Sequence, residues 1–202
     1  MEEVSPETVQ LASCVAVGRF NPAILTPPWL IEQEILINSE AEIGQPLGSS
    51  ILQFRAAGFM WQASLNKLEV HAESPDSDPG EFVAQVLEKL PHTPIRAVGN
   101  NFAVTVTPQA GRGLFPLIAC SLADRLTTPE HEVLLVSTTL ALSHEKEAII
   151  KITLEAEQGE VAAVSFNFHR DCASTTAGAE AARKWKADRD EARRLLFEKI
   201  LS

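Results

Sequence analysis

The chain has 202 residues, 45% hydrophobic and 22% charged, enough to bury a sizeable core without disulfide or metal staples. Its net charge of −10 disfavours free-standing binding to nucleic acid, and no apolar run reaches the roughly 18 residues of a membrane span. Cys14, Cys120 and Cys172 are widely spaced with no CxxC, and the first residues lack the basic and apolar regions of a signal peptide, so a reducing, cytoplasmic setting is expected.

Residues 8–19 alternate, with Val9, Leu11, Val15 and Val17 on one face, and read as a first strand. Residues 20–29 (FNPAILTPPW) form a connector broken by Pro22, Pro27 and Pro28, and Pro28 suits the first turn of a short helix reaching Glu34. Residues 40–50 read as a loop. Strands are expected at 51–57, 59–64 and 67–73, then a turn-rich loop (SPDSDPG) and a helix over 81–90. That helix puts Phe82, Val83, Val86, Leu87 and Leu90 on one side, and Pro91 stops it.

Residues 93–107 read as a strand in which the apolar alternation changes phase. Ile95 and Ala97 are odd-numbered, Phe102 and Val104 even-numbered, so one extra residue is expected at Gly99-Asn100-Asn101, with a positive φ there. A loop at 108–113 and a helix over 114–126 follow. Residues 131–142, 148–157 and 161–169 form a three-stranded meander, and 177–201 an amphipathic helix with Ala181, Trp185, Ala192, Leu196 and Ile200 inward. Arg183, Lys186, Arg189 and Arg193 lie on that helix among Glu180, Asp188, Asp190 and Glu191, which reads as a solvated face with ion pairs. The whole predicts one α+β domain over 1–202. It is a pseudo-repeat of units at about 8–107 and 114–202, each a β-meander backed by a helix, with antiparallel sheet throughout.

Four fragments, FNPAILTPPW (20–29), FMWQASLNKLEV (59–70), LPHTPIRAVGNNF (90–102) and FNFHRD (166–171), resemble a sporadically distributed, uncharacterised family of bacterial proteins. The resemblance covers about a fifth of the chain. It implies a two-unit α+β fold, and its patchy distribution an accessory or defence role. It assigns no activity and no catalytic residue. A second likeness is to SecB-type export chaperones, which are acidic, cytoplasmic and built on a four-stranded antiparallel sheet with helices. Phe20, Pro22, Pro27, Pro28 and Trp29 follow their early order of Phe, prolines and Trp. That likeness implies a holdase for unfolded chains, although this chain is longer and its strand–helix order does not match throughout.

Catalytic signals are sparse. His169-Arg170-Asp171 spells the kinase catalytic-loop triplet without the glycine-rich loop, strand lysine or DFG that a kinase needs. His169 and Cys172 are close enough to meet at a turn, but nothing else supports a Cys–His nucleophile. His131-Glu132 and His144-Glu145 lack the spacing of a metal site, so no metal and no cofactor are expected. The best pocket candidate gathers His92, Arg96, Asn100 and Asn101, with Arg112 folding back between two glycines, as the site of a small-molecule enzyme or sensor. The best interface candidate is Phe20, Ile24, Leu25, Trp29 and Leu30, large apolar residues on a connector with no ladder to bury them. The favoured expectation is a non-catalytic protein-binding or assembly subunit. It meets a protein partner or a second copy through that connector, the outer sheet face, or both.

Overall fold

The computed structural model describes residues 8–37, 41–43, 51–74, 76–106, 135–144, 148–157 and 162–201. Its strands are β1 (Thr8–Gly18), β2 (Glu42–Ile43), β3 (Ile51–Ala56), β4 (Phe59–Ser64), β5 (Lys67–Ala72), β6 (Ile95–Val106), β7 (Leu135–His144), β8 (Ala148–Glu157) and β9 (Ala162–Asp171). The helices are α1 (Pro27–Glu32), α2 (Pro79–Lys89), α3 (Thr175–Arg183) and α4 (Trp185–Leu195), and a π-turn (Leu196–Ile200) continues α4. The fold is α+β, with one antiparallel sheet in the order β2-β3-β4-β5-β1-β6-β9-β8-β7. No helix among the described residues is long and apolar enough to cross a membrane.

The strand order repeats. β1 is followed by the meander β3–β4–β5 and then α2; β6 is followed by the meander β7–β8–β9 and then α3 and α4. In each half the leading strand pairs with the last meander strand, β1 with β5 and β6 with β9. The two leading strands pair with each other at the middle of the sheet.

Alternation decides which face is covered. Ala12, Cys14 and Ala16 of β1, Leu68 and Val70 of β5, Phe102 and Val104 of β6, Phe166 and Phe168 of β9, and Ile150 and Ile152 of β8 are buried. The helices lie on this face, α2 against β1 and β5, α3 and α4 against β6. Each half has its own aromatic cluster. Phe54 stacks on Trp61 at 5.7 Å and Phe82 meets Trp61 at 5.4 Å, while Phe102 lies 5.2 Å from Trp185 and 6.0 Å from Phe168. α2 begins where Asp78 accepts hydrogen bonds from the Gly80 and Glu81 amides, with Pro79 in the first turn. Gly80 is required by close approach: a Cβ there would stand 2.2 Å from the Ala182 carbonyl oxygen and 2.7 Å from Trp185 Cβ. This contact locks α2 to the α3–α4 junction, so both helical units cover the same face.

Two expectations need correction. The helix over 177–201 is three pieces, with a break at Lys184 and the π-turn at its end. The phase change in β6 is real but lies earlier. β6 pairs with β9 without interruption from Ala97 to Val106, and neither Gly99 nor either Asn has positive φ. The irregularity falls where Val17 pairs with Ala97 and Gly18 with Ile95, so Arg96 is the extra residue. Ile95 and Val98 consequently both reach Gly178 of α3. The expected loop at 108–113, helix at 114–126 and strand start at His131 lie outside the described residues.

Candidate binding face

The sheet's other face is uncovered by any described helix, and its residues are read directly from the pairing. Residues opposite each other in neighbouring strands share a face. One row runs Met60, His71, Ser13, Asn101, Asn167, Lys151, Ala141 across β4, β5, β1, β6, β9, β8 and β7. The next runs Gln62, Glu69, Val15, Gly99, His169, Ile149, Ser143. On the other side lies Leu11, Ala103, Ser165, Thr153, Thr139. The middle of this face is made of small or uncharged side chains. Asn167 donates to Asn101, which donates to the Ser13 hydroxyl at 3.2 Å, and the Thr139 and Thr153 hydroxyls meet at 3.1 Å. These bonds hold the polar groups within the sheet's own surface, and Ser13 is only 1% exposed.

Charge flanks that middle on both sides, at Arg55 of β3, on β5, at Lys151 and Glu155 of β8, and at the end of β9. On β5, Glu69 lies 2.5 Å from the Lys67 ammonium and 3.0 Å from His71 Nε2. The His71 hydrogen bond, reinforced by Lys67, holds the Glu69 carboxyl down at about 2 against the opposing effect of burial. A depressed folded-state pKa gives stability that is present above the ordinary carboxylate range and lost as pH falls from about 4.5 towards about 2. The stability difference between wild type and Glu69→Gln, measured by urea unfolding, is therefore expected to be largest near pH 5 and to vanish near pH 2. An equal difference at both pH values would refute the assignment. On β9, His169 Nε2 lies 3.3 Å from the exposed Asp171 carboxylate.

The structure disperses the predicted pocket. His92 is exposed in the turn after α2, and Arg96 is exposed at the bulge. Asn100 and Asn101 are successive strand residues and so point to opposite faces. Asn101 belongs to the open face. Asn100 is fully buried under the helices, donating to the Ala181 carbonyl at 3.3 Å and to Asp188 Oδ2 at 2.8 Å. Arg112 lies outside the described residues. Near His92 is a cleft of about 320 Å³ lined by Glu88, Pro91, Thr175, Ala179, Glu180 and Arg183. Its one arginine is already bonded to Glu81 and Glu88.

The predicted interface residues also separate. Phe20, Leu25 and Leu30 are buried in the chain's own core, Trp29 packs half-buried against it, and Ile24 remains exposed. The physical reason is that the connector does find backbone partners: the Gly18 and Phe20 amides donate to the carbonyls of Asn66 and Leu65 in the β4–β5 turn. The Cys–His pair is not assembled. His169 lies on the open face, whereas Cys172 is buried and burial pushes its thiol up, away from a reactive thiolate. His131, Glu132 and Glu145 lie outside the described residues, and the His144 ring sits edge-on to Phe168 at 6.0 Å.

A buried ion pair was missed from the sequence. Arg170 makes a bidentate contact with Asp188 at 2.6 and 2.7 Å, both side chains nearly inaccessible. The signal was present. Arg170 continues the inward alternation of Phe166 and Phe168, and Asp188 fills the inward slot between Trp185 and Ala192. Three arginines of the last helices are tied to acids: Arg183 to Glu81 and Glu88, Arg189 to Asp76, and Arg194 to Glu191.

No protein-family model and no curated protein matches this chain.

Proposed function

We propose that the protein is a non-catalytic binding or assembly subunit that docks a protein partner through the open face of its sheet. The observation carrying this reading is the distribution of charge on that face. Its centre, from Leu11, Ser13 and Val15 of β1 across Gly99, Asn101 and Ala103 of β6 to Ser165 and Asn167 of β9, holds no charged side chain. A sheet face that only meets water carries lysine and glutamate in its middle, whereas the core of a protein interface is depleted in them. Small side chains with internally satisfied hydrogen bonds also let a second surface approach closely without leaving polar groups unpaired.

The test is Ala103→Arg, which puts a long cation at the centre while leaving the helical core untouched. Tagged wild type and variant are compared by co-purification with mass spectrometry and by light scattering. Loss of a specific association, whether with another protein or with itself, is expected at unchanged melting temperature. A variant that keeps every wild-type association would refute the reading.

A holdase reading, as for the SecB-type chaperones, is supported by the four-stranded antiparallel arrangement with a following helix in each half. It predicts that equimolar protein suppresses aggregation of a diluted, urea-unfolded client, and the assembly-subunit reading predicts that it does not.

A further inference from the structure

Resting on the docking reading above, we infer that the occupant of the open face is a second copy of this chain, packed face to face about a two-fold axis that runs parallel to the strands between β1 and β6. Three observations converge on a copy of itself.

The first is the mixing of both charge signs on this face. The chain carries −10 overall, so two copies repel over most of their surfaces. On the open face, Arg55, Lys67 and Lys151 are interspersed with Glu42, Glu69, Glu155 and Asp171. Both signs are present, so approach there sets cations of one copy within reach of acids of the other.

The second is complementarity under one particular symmetry. Pairing places Lys67 in the same row as Val17, Ala97 and Asp171. Glu69 shares a row with Val15, Gly99 and His169, and His71 with Ser13, Asn101 and Asn167. β5 and β9 lie at equal distances on either side of the β1–β6 centre. A dyad along the strands therefore sets β5 over β9 of the second copy while keeping the rows in step. Lys67 meets Asp171, Glu69 meets His169, and His71 meets the Asn167 amide. A dyad across the strands would instead stack β5 on itself and bring Glu69 against Glu69. Aligned sheet packing rotates the two faces by about 30°. At one and a half strand spacings from the axis this displaces the rows by only a few ångströms, within reach of a lysine. Lys67 and Asp171 side chains are 41% and 92% exposed and available for it.

The third is area. A face eight strands wide and about six residues tall covers roughly 750 Å². That matches the roughly 800 Å² per partner of a stable interface. The dimer would bury the uncharged strip of β1 and β6 in both copies, with the charge pairs of β5 and β9 flanking it and giving register.

Sedimentation equilibrium on the full chain from about 1 to 100 μM tests the inference. Wild type is expected to dimerise. Lys67→Glu and Asp171→Lys, each creating two like-charge contacts per dimer, are expected to raise the dissociation constant about tenfold or more. The double variant is expected to return to within about threefold of wild type. A wild type that stays monomeric at 100 μM, or a double variant weaker than both singles, overturns the self-association. If wild type is monomeric and Ala103→Arg still abolishes binding of a different protein, the docking face stands and only its occupant was wrong.

Discussion

Asp188→Ala is expected to destabilise the fold by about 3–5 kcal/mol, far beyond the cost of losing a surface ion pair. Asp188 is 2% exposed and accepts three hydrogen bonds, two from the Arg170 guanidinium and one from the Asn100 amide. Without it, Arg170 keeps its charge at a site 7% exposed with no counter-ion, and the Asn100 amide retains only the Ala181 carbonyl. Desolvation of an unpaired cation is the larger part of the loss, which makes a specific prediction about the pair. Replacing both partners by apolar residues of similar size, Arg170→Met with Asp188→Leu, removes the charge and the reason for the penalty together. The double variant is expected to be more stable than Asp188→Ala and than Arg170→Met alone. Equilibrium urea unfolding of the four proteins measures this. Additive losses in the double variant would show that each residue acts through its own packing and that the pair is not a unit.

The same pair shows where the sequence was readable and where it was not. Alternation assigned β8 and β9 and the inward stripe of the last helices because apolar residues dominated those positions. A charged residue at an inward position breaks the pattern it belongs to, so Asp188 reads as one more acid on a solvated face and Arg170 as part of an exposed turn. Only when β9 and α4 are brought together does each explain the other. Asn100 behaves similarly. Beside Gly99 and Asn101 it looks like turn chemistry, yet Cys14 is opposite it in β1 and Asp188 above it in α4, so it is a core residue whose amide is committed to Asp188 and the Ala181 carbonyl. The β6 phase change was visible in Ile95, Ala97 and Phe102, but its position was not. An extra residue can sit anywhere between the last residue of one phase and the first of the other, and the apparent signal of Gly-Asn-Asn outweighed the unremarkable Arg96. The connector's burial was hidden for a different reason: it depends on the β4–β5 turn, some forty residues later, offering the Asn66 and Leu65 carbonyls. The open face was legible in most strands as the residues alternating with the buried ones, odd-numbered in every long strand except β4. Its single uncharged centre follows only from the strand order, which joins β1 to β6 across the halves.

Trp185→Ala is expected to cost about 3–5 kcal/mol and to lower the melting temperature by about 10 °C or more. Trp185 is 1% exposed, and it is the residue at which three elements meet. It opens α4 directly after the break at Lys184, its ring packs on Phe102 of β6, and its Cβ lies close to the Gly80 backbone of α2. The Arg189 guanidinium caps the ring at 5.4 Å. Truncation would empty a site walled by backbone on one side and by β6 on another, neither of which can collapse inward, so the cavity term adds fully to the lost transfer energy. The control is Phe197→Ala, at the same end of the chain but 45% exposed, which is expected to cost less than about 1 kcal/mol. Equilibrium unfolding followed by circular dichroism measures both. If α4 were a loosely attached arm, the two substitutions would cost the same. A large gap between them shows that the helical layer is anchored at Trp185, and that the sheet therefore presents its opposite face as a fixed surface for docking.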